Sequence, residues 1–131
     1  PDASGFEWVV DVAHNPAAAS TLVANLRALP VTGRTLAVCG MLGDKDVPGV
    51  IGTLRESIDQ WFAATAEGPR AIDAAELGRR AGEAGVHLQP AGTVPEAMQR
   101  AAEVARAGDR IVVFGSFHVV GPALAALRVP L

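Results

Sequence analysis

Polar and ionisable side chains follow three short apolar segments of the chain, and their types can bind anions or transfer protons. The three groups are Asp11 with His14, Asp44 with Lys45 and Asp46, and Ser116 with His118. Each apolar segment has the length and composition of a buried parallel strand. In an open α/β sheet, ligands bind beyond the carboxyl ends of the strands. We therefore expect the three groups to converge at one edge of a sheet and to form a binding site there.

The first group lies in the turn between a strand and a helix. Apolar residues at 8–10 lead into Asp11 and His14, and an alanine-rich helical pattern follows. Asn15 is a favoured N-cap type, and Pro16 suits the first helical position, where a missing N–H has no cost. The free N–H groups of a helix N-terminus favour anions. Asp11 and His14 are therefore predicted to lie beside an anion-binding helix end.

The rest of the chain alternates short apolar runs with helical patterns. Strands are predicted at residues 8–10, 35–39, 60–64, 86–88 and 110–114. Helices are predicted over 16–29, over 50–58, from the cap residue Asp73 through Ala84, over 94–107 and from about Pro122. This alternation indicates an α/β fold, Rossmann-like, with a mostly parallel sheet, helices on both faces and right-handed crossovers.

The composition restricts the class of protein. The 131 residues suffice for a single domain, and half of them are hydrophobic, which indicates a globular fold. The net charge of −3 gives no electrostatic reason to expect nucleic acid or an anionic membrane as a partner. A single cysteine, Cys39, excludes an internal disulfide and is typical of a cytoplasmic protein. The chain has no initiator Met and begins in an irregular stretch, residues 1–5, so we expect it to be part of a longer protein.

Several common site motifs are absent from the sequence. No G-x-G-x-x-G follows the first strand, and there is no G-x-x-x-x-G-K-[ST] phosphate loop. The segment around Ser116 is not a G-x-S-x-G nucleophile elbow, and no Cys/His cluster has zinc spacing. Dinucleotide binding, an autonomous ATPase, serine hydrolase chemistry and a zinc site are therefore not indicated.

Each candidate residue also has a purely structural interpretation. Asp11 can hydrogen-bond nearby backbone in an Asx-type turn, and His14 can be an ordinary turn histidine. Lys45, between two acids, is typical of a solvated surface, and Ser116 after a glycine is typical of a helix entry. The residue pattern alone leaves both interpretations open.

Three motifs together resemble one enzyme family. Residues 11–16 read DVAHNP, residues 40–46 read GMLGDKD and residues 113–118 read VFGSFH. In this order and on these strand ends they are similar to the C-terminal domain of bacterial folylpolyglutamate synthases/dihydrofolate synthases, within the Mur ligase superfamily. The resemblance covers essentially the whole chain. Val12 departs from the pattern, because the family usually has glycine there, which affects only the expected turn geometry.

The resemblance implies that residues 1–131 form the C-terminal lobe of an ATP-dependent ligase. Such an enzyme joins L-glutamate to dihydropteroate or to a folate: the pterin substrate's carboxylate takes the γ-phosphoryl group of ATP, and the glutamate amine displaces phosphate from the acyl phosphate. ATP and Mg²⁺ would be bound mostly by an N-terminal ATPase domain outside this chain. The isolated lobe would therefore hold no cofactor and would be inactive.

The resemblance also implies roles for particular residues. Asp11 would accept hydrogen bonds from the ATP ribose hydroxyls, for which an ionised carboxylate is a strong partner. Asn15 and His118 would not contact ligands themselves but would support the residues that do. The residues expected to bind glutamate or position its amine are His14, Lys45 and Ser116. No metal ligand is assigned to this chain.

Two other functions compete with this interpretation. One is the C-terminal lobe of a cell-wall Mur-type ligase, which joins a different amino acid to a UDP-linked substrate; the second and third motifs argue against it. The other is a non-catalytic, flavodoxin-like binding module. Within the favoured family, the sequence does not distinguish dihydrofolate synthase from folylpolyglutamate synthase activity, or from both.

Overall fold

The computed structural model describes residues 5–128 as a five-stranded sheet between two layers of helices. Of the irregular stretch predicted at residues 1–5, only Gly5 lies within the described range. The strands are β1 (Glu7–Asp11), β2 (Thr35–Cys39), β3 (Gln60–Thr65), β4 (Gln89–Thr93) and β5 (Arg110–Phe114). The helices are α1 (Pro16–Ala28), α2 (Val47–Leu54), α3 (Ala74–Ala81), α4 (Val94–Val104) and α5 (Phe117–Ala126). Within this range no helix combines the length and the apolarity that crossing a bilayer requires.

All strand pairs of the sheet are parallel, and the strand order is β1-β5-β2-β3-β4. The last strand in the chain, β5, therefore lies between the first two. In register, Phe114 at the end of β5 is opposite Asp11 of β1 on one side and Cys39 of β2 on the other. The predicted Rossmann-like α/β fold with a parallel sheet is confirmed. The three strands that precede the candidate residues are neighbours.

The helices cover both faces of the sheet, as predicted. Helices α1, α2 and α3 pack against one face, where alternate strand residues such as Ala37 and Cys39 are buried. Helices α4 and α5 pack against the other face, on Leu36 and Val38. Since successive side chains of a strand point to opposite faces, the continuous apolar run of β2 supplies both cores.

The predicted N-caps of α1 and α3 are confirmed. The side chain of Asn15 accepts a hydrogen bond from the Ala18 N–H at 2.8 Å, and Asp73 accepts one from the Glu76 N–H at 2.8 Å. Pro16 occupies the first turn of α1. Each cap satisfies a helix N–H that has no partner within the helix, which explains where these helices begin.

The predicted strand at 86–88 is wrong. Val86 and Leu88 are buried, but the paired strand begins at the next residue and runs over Gln89–Thr93. This strand contains Pro90 and Gly92, which are unfavourable in strands. They are tolerated because β4 lies at the edge of the sheet and its pairing with β3 is irregular. The alternation of apolar and polar residues that predicted the strand reflects the burial of Val86 and Leu88, not hydrogen bonding to a neighbouring strand.

Helices α2 and α3 end before the predicted residues, and α2 also begins at Val47, before the predicted start at Val50. Helix α2 ends at Leu54, and Ile58 is buried in extended backbone after a 3-10 turn at Arg55–Ser57. Helix α3 ends at Ala81, and a 3-10 turn continues to Ala84. The periodicity of buried residues continues through such tighter turns, so the pattern alone does not find the helix end.

Helix α4 ends at Val104, three residues before the predicted Ala107. The Val104 carbonyl accepts a hydrogen bond from the Arg34 guanidinium at 2.8 Å, and the Arg106 N–H donates to the Asp109 carboxylate at 2.8 Å. With these two hydrogen bonds, from Arg34 and to Asp109, the chain leaves the helical conformation after Val104 and enters the turn that precedes β5.

Helix α5 begins at Phe117, five residues before the predicted start at Pro122. A proline inside a helix lacks the N–H that would bond to the carbonyl four residues earlier, which here belongs to His118. That carbonyl instead accepts the Glu67 N–H at 3.2 Å. The missing bond of Pro122 is thereby replaced, so the helix continues through it.

At the amino ends of the strands, the buried carboxylate of Asp109 holds two loops together. It accepts the backbone N–H groups of Arg34 at 2.7 Å and Arg106 at 2.8 Å, and the Arg34 guanidinium at 3.1 Å. Burial by itself raises the pKa of Asp109, but these hydrogen bonds to the charged form outweigh it, so the pKa lies below its ordinary value.

The neighbouring Arg110 is also buried, and it closes the carboxyl end of α1. Its guanidinium donates hydrogen bonds to the carbonyls of Leu26 and Leu29 and to the Thr35 hydroxyl. Burial lowers the pKa of Arg110, and the charge of Glu7 partly counteracts this effect. A cation at this position favours the helix, because the C-terminal carbonyls carry partial negative charge.

We predict that Asp109→Asn lowers the free energy of unfolding by about 2 kcal/mol at pH 7, because a buried acceptor of several N–H groups is replaced by one that carries an unmatched NH₂. The folded-state pKa of Asp109 is depressed, so its contribution is full above the unfolded pKa of about 4 and is lost as the pH falls through the folded value. Urea unfolding at pH 7 and below pH 4 measures the difference.

Asp44→Asn is the matched control, since Asp44 is exposed and its ion pair with Arg70 is long, at 3.7 Å. We expect it to change the free energy of unfolding by less than about 0.5 kcal/mol at either pH. Equal effects of the two substitutions at pH 7 would contradict the role given to Asp109.

Candidate functional site

The position of β5 between β1 and β2 places the three polar groups on adjacent strand ends. Asp11 ends β1, Ser116 follows β5 by two residues, and Lys45 lies in the loop that leaves β2. The convergence expected from the sequence is therefore found at the level of the strands and the turns that leave them.

The ends of β2 and β5 are in backbone contact through two glycines. The Gly40 N–H donates to the Phe114 carbonyl at 3.3 Å. Gly115 has φ +151°, and a Cβ built on it would overlap the Gly40 carbonyl oxygen. A Cβ on Gly40 would in turn lie 2.9 Å from Val119 of α5. Only glycines allow the loop before Lys45 and the turn before Ser116 to approach this closely.

Asp11 forms the Asx-type turn that the structural interpretation describes. Its Oδ1 accepts the Ala13 N–H at 2.8 Å, which fixes the turn out of β1. The side chain is half-buried. Among residues 5–128, no hydrogen bond reaches its second oxygen, Oδ2. One carboxylate oxygen thus holds the turn, and the other can accept hydrogen bonds from a ligand.

His14 is oriented by the same turn. Its Nδ1 lies 2.7 Å from the Val12 carbonyl oxygen. A carbonyl can only accept, so this contact assigns the hydrogen to Nδ1 and leaves the lone pair of the neutral ring on Nε2. Asn15 is occupied as the N-cap of α1, which fixes the helix start directly behind His14. The arrangement can present an acceptor nitrogen beyond the sheet edge.

Ser116 is buried and caps α5. Its Oγ accepts the His118 N–H at 3.1 Å, so the hydroxyl hydrogen can still be donated to another group. His118 itself is held toward the loop after β3, because its carbonyl accepts the Glu67 N–H and its ring lies against Gly68. Within the described range, no hydrogen bond joins His118 to Asp11 or His14.

The two acids beside Lys45 have structural partners. Asp46 caps α2 by accepting the Gly49 N–H at 3.0 Å, and Asp44 forms the exposed ion pair with Arg70. Lys45 is half-buried, and its N–H donates to the Leu42 carbonyl at 3.3 Å. No ion pair of its ammonium group occurs in the part of the chain that the structure describes. The two acids therefore have defined partners within the loop and do not simply form a uniformly solvated surface with Lys45.

Two residues that no sequence motif reveals, Arg70 and Arg80, hold this loop. The Arg70 carbonyl accepts the Gly43 N–H at 2.8 Å, and the Arg80 guanidinium donates to the Gly43 carbonyl at 2.8 Å. The sequence signal was a glutamate, Glu76, with arginines three and four residues later, which indicates only ion pairs on a helix face. These pairs exist and hold the pKa of Glu76 at about 2, but one of the arginines also reaches the loop.

The side chains at this sheet edge offer hydrogen-bonding groups to a ligand. No cluster of three or more metal-ligating side chains is found among residues 5–128. Asp11 offers an acceptor oxygen, Oδ2, which receives no hydrogen bond from residues 5–128. A carboxylate is a suitable partner for paired hydroxyl groups.

The fold and the sequence match one known class of protein domain. The family model described as "Mur ligase, glutamate ligase domain" matches residues 1–117. The chain therefore belongs to the glutamate ligase domain family of the Mur ligases.

More specific similarity is to the bifunctional enzymes of folate metabolism. The chain is 42% identical over 112 residues to the dihydrofolate synthase/folylpolyglutamate synthase of Escherichia coli, covering 86% of this chain and 26% of that protein. The crystal structure of the Yersinia pestis bifunctional enzyme with AMPPNP and Mn ion superposes with a TM-score of 0.83 at 39% identity, covering 93% of this chain and 28% of the other. A structure of such an enzyme with Mn, AMPPNP and L-glutamate bound has a TM-score of 0.80 at 40% identity, covering 90% and 28%.

A cell-wall ligase is also related. The UDP-N-acetylmuramoyl-L-alanyl-D-glutamate--2,6-diaminopimelate ligase of Corynebacterium glutamicum is 34% identical over 134 residues, covering 93% of this chain and 26% of that protein. The chain spans about a quarter of the length of the curated relatives it matches. It thus corresponds to one domain of enzymes that are about four times as long.

We predict that Gly115→Ala destabilises the chain by about 2 kcal/mol or more, because the new methyl group cannot avoid the Gly40 carbonyl without moving one of the two loops. Gly82→Ala, at the end of α3, is the control: its backbone is already helical, and apart from its chain neighbours and its own helix nothing lies within 4 Å of the added methyl group. It should stabilise by about 0.5–1 kcal/mol through helix propensity. Chemical denaturation of both variants tests this, and a neutral Gly115→Ala would contradict the proposed contact.

Proposed function

We propose that this domain is the C-terminal lobe of an ATP-dependent ligase that adds L-glutamate to dihydropteroate, to folates or to both, through an acyl phosphate. The observation that carries the proposal is that Asp11, His14, Lys45 and Ser116 lie at or just after the carboxyl ends of three neighbouring strands. The similarity to the Escherichia coli enzyme supports it. The folate-related enzyme crystallised with AMPPNP, Mn and L-glutamate supports the substrates and the divalent metal.

In this proposal Asp11 binds the nucleotide. Its Oδ1 is used in the turn, so Oδ2 accepts hydrogen bonds from the ribose hydroxyls. ATP with Mg²⁺ supplies the phosphoryl group that activates the substrate carboxylate. The triphosphate and the metal would be bound mostly by an N-terminal ATPase domain, with which this lobe would form the complete site. The isolated lobe would be inactive, because ribose contacts alone do not position the phosphates.

The other candidates act on glutamate. The ammonium group of the amino acid must lose a proton before its nitrogen can attack an acyl carbon, and the Nε2 of His14 can accept that proton. Ser116 donates its hydroxyl hydrogen to the incoming group, and Lys45 pairs with a glutamate carboxylate. Asn15 fixes the start of α1 behind His14, and the backbone N–H of His118 donates to the Ser116 hydroxyl at the start of α5. We place the enzyme in the cytoplasm, where a protein with the lone thiol of Cys39 needs no disulfide.

A cell-wall ligase is the second candidate, because the Corynebacterium glutamicum relative aligns over 93% of this chain. Such an enzyme would use the same sheet edge for a different amino acid and a UDP-linked acceptor. A non-catalytic binding module is the third, and it requires that Asp11 and His14 be dispensable. Acceptor choice and variant kinetics separate the three.

The first test offers dihydropteroate, tetrahydrofolate and a UDP-linked peptide separately to the full-length enzyme that carries this domain, with ATP, Mg²⁺ and L-glutamate. We expect phosphate release that requires both a pterin and glutamate. Asp11→Asn keeps an oxygen for the Ala13 N–H but presents an NH₂ to the ribose, so release should fall at least about tenfold, or about 1.4 kcal/mol of transition-state stabilisation. The melting temperature should not change.

Release only with a UDP-linked peptide would favour the cell-wall ligase. If Asp11→Asn had full activity, Asp11 would be a turn residue only. Asp11→Ala removes both oxygens and should also lower the melting temperature, which separates the loss of the turn from the loss of the ligand contact.

His14→Asn tests the role of Nε2. The Asn side-chain NH₂ can replace Nδ1 as the donor to the Val12 carbonyl, while no atom replaces Nε2. We expect kcat to fall by about two orders of magnitude or more, as for loss of a general base, with an unchanged melting temperature. The rate with ATP and pterin at saturating glutamate gives kcat. A normal kcat with a raised KM for glutamate would show binding rather than proton transfer.

A further inference from the structure

The loop that carries Lys45, residues 40–46, is held through both backbone groups of Gly43. The Gly43 N–H donates to the Arg70 carbonyl and the Gly43 carbonyl accepts from the Nη1 of Arg80, each at 2.8 Å. Gly43 lies two residues before Lys45, whose own N–H closes a turn onto Leu42. The position of the Lys45 backbone therefore depends on these anchors.

Arg80 differs from Arg70 because it bonds to Gly43 through its side chain, which extends from the separate helix α3, whereas Arg70 bonds through its backbone carbonyl. Its guanidinium is fixed by Glu76 one helical turn earlier, with Nε 2.9 Å from the carboxylate. The Arg80 side chain is only 29% exposed, so water competes less for this hydrogen bond than on an open surface. Helix α3 thus holds the loop through a donor that is itself held in place.

We infer that Arg80 is a positioning residue for amino-acid binding: it holds the 40–46 loop so that the Lys45 ammonium meets a carboxylate of the incoming glutamate. The inference rests on the function proposed above. Arg80 does not contact the substrate; it affects glutamate binding only through its hydrogen bond to the Gly43 carbonyl. A charged donor to a carbonyl gives a stronger bond than a neutral one, which suits a loop that must keep a flexible lysine in one place.

The adjacent Arg79 provides an internal control. It forms a bidentate ion pair with the Glu76 carboxylate, at 2.8 and 2.7 Å, and 65% of its side chain is exposed. Among residues 5–128 it makes no hydrogen bond to the 40–46 loop. Replacing either arginine removes one positive charge and one partner of Glu76, but only Arg80 contacts Gly43.

The experiment compares Arg80→Met with Arg79→Met in the full-length enzyme, since methionine keeps most of the apolar stem and removes every donor. We expect Arg80→Met to raise the KM for L-glutamate about tenfold, the order expected for loss of a hydrogen bond to a charged donor. The kcat and the KM for ATP should stay within about twofold. Arg79→Met should change none of the three, and Arg80→Lys should restore part of the glutamate KM.

Hydrogen exchange of the ligand-free enzyme provides a readout that does not need turnover. Peptides covering residues 41–47 should exchange faster in Arg80→Met and unchanged in Arg79→Met. Unchanged exchange in Arg80→Met would overturn the inference, as would equal effects of the two variants.

Lys45→Met separates this inference from the proposed function. If Lys45→Met raises the glutamate KM while Arg80→Met does not, the inference is overturned and the proposed role of Lys45 stands. If Lys45→Met leaves the KM unchanged, the role proposed for Lys45 fails and the inference fails with it, whereas pterin- and glutamate-dependent phosphate release would still support the ligase function.

Discussion

The structure depends on the insertion of β5 between β1 and β2. This strand is buried along its whole length, and its register places Phe114 level with both Asp11 and Cys39. A parallel sheet needs apolar cover on both faces, and β5 has this cover together with a paired strand on each side. Because the last strand joins the first two, turns that are about 100 residues apart in sequence lie side by side. Without this insertion the three polar groups would belong to separate parts of the surface.

The two ends of these central strands are held by different physical means. At the amino ends, Asp109 and Arg110 are buried charges that bind backbone groups of neighbouring segments. At the carboxyl ends, Gly40 and Gly115 allow two backbones to approach without side chains. Buried charges fix one end because leaving their partners unmatched is costly. The glycines bring the two backbones together at the other end without side chains, and the polar side chains of the flanking turns lie beyond it.

The sequence predicted the core of this arrangement well and its boundaries less well. Strands such as β5 and caps such as Asn15 depend on local chemistry, which the sequence contains. The true position of β4 and the true start of α5 depend on contacts with residues far along the chain, which is why both were predicted wrongly. Pro122 is compatible with a helix only because Glu67 supplies the N–H that reaches the His118 carbonyl. The contact of Arg80 with Gly43 is missed for the same reason, since a helix pattern does not show what lies beside the helix.

The structural and the functional interpretations of the site residues are compatible, because each side chain has more than one polar atom. Asp11 holds its turn with Oδ1, and His14 is oriented through Nδ1. Ser116 caps α5 with a lone pair and keeps its hydrogen. A side chain fixed by one atom loses little further freedom when another atom binds a ligand, and such preorganisation favours both affinity and catalysis. A turn residue of this kind is thus well suited to binding, and its structural bond is a reason to expect a defined geometry rather than an argument against function.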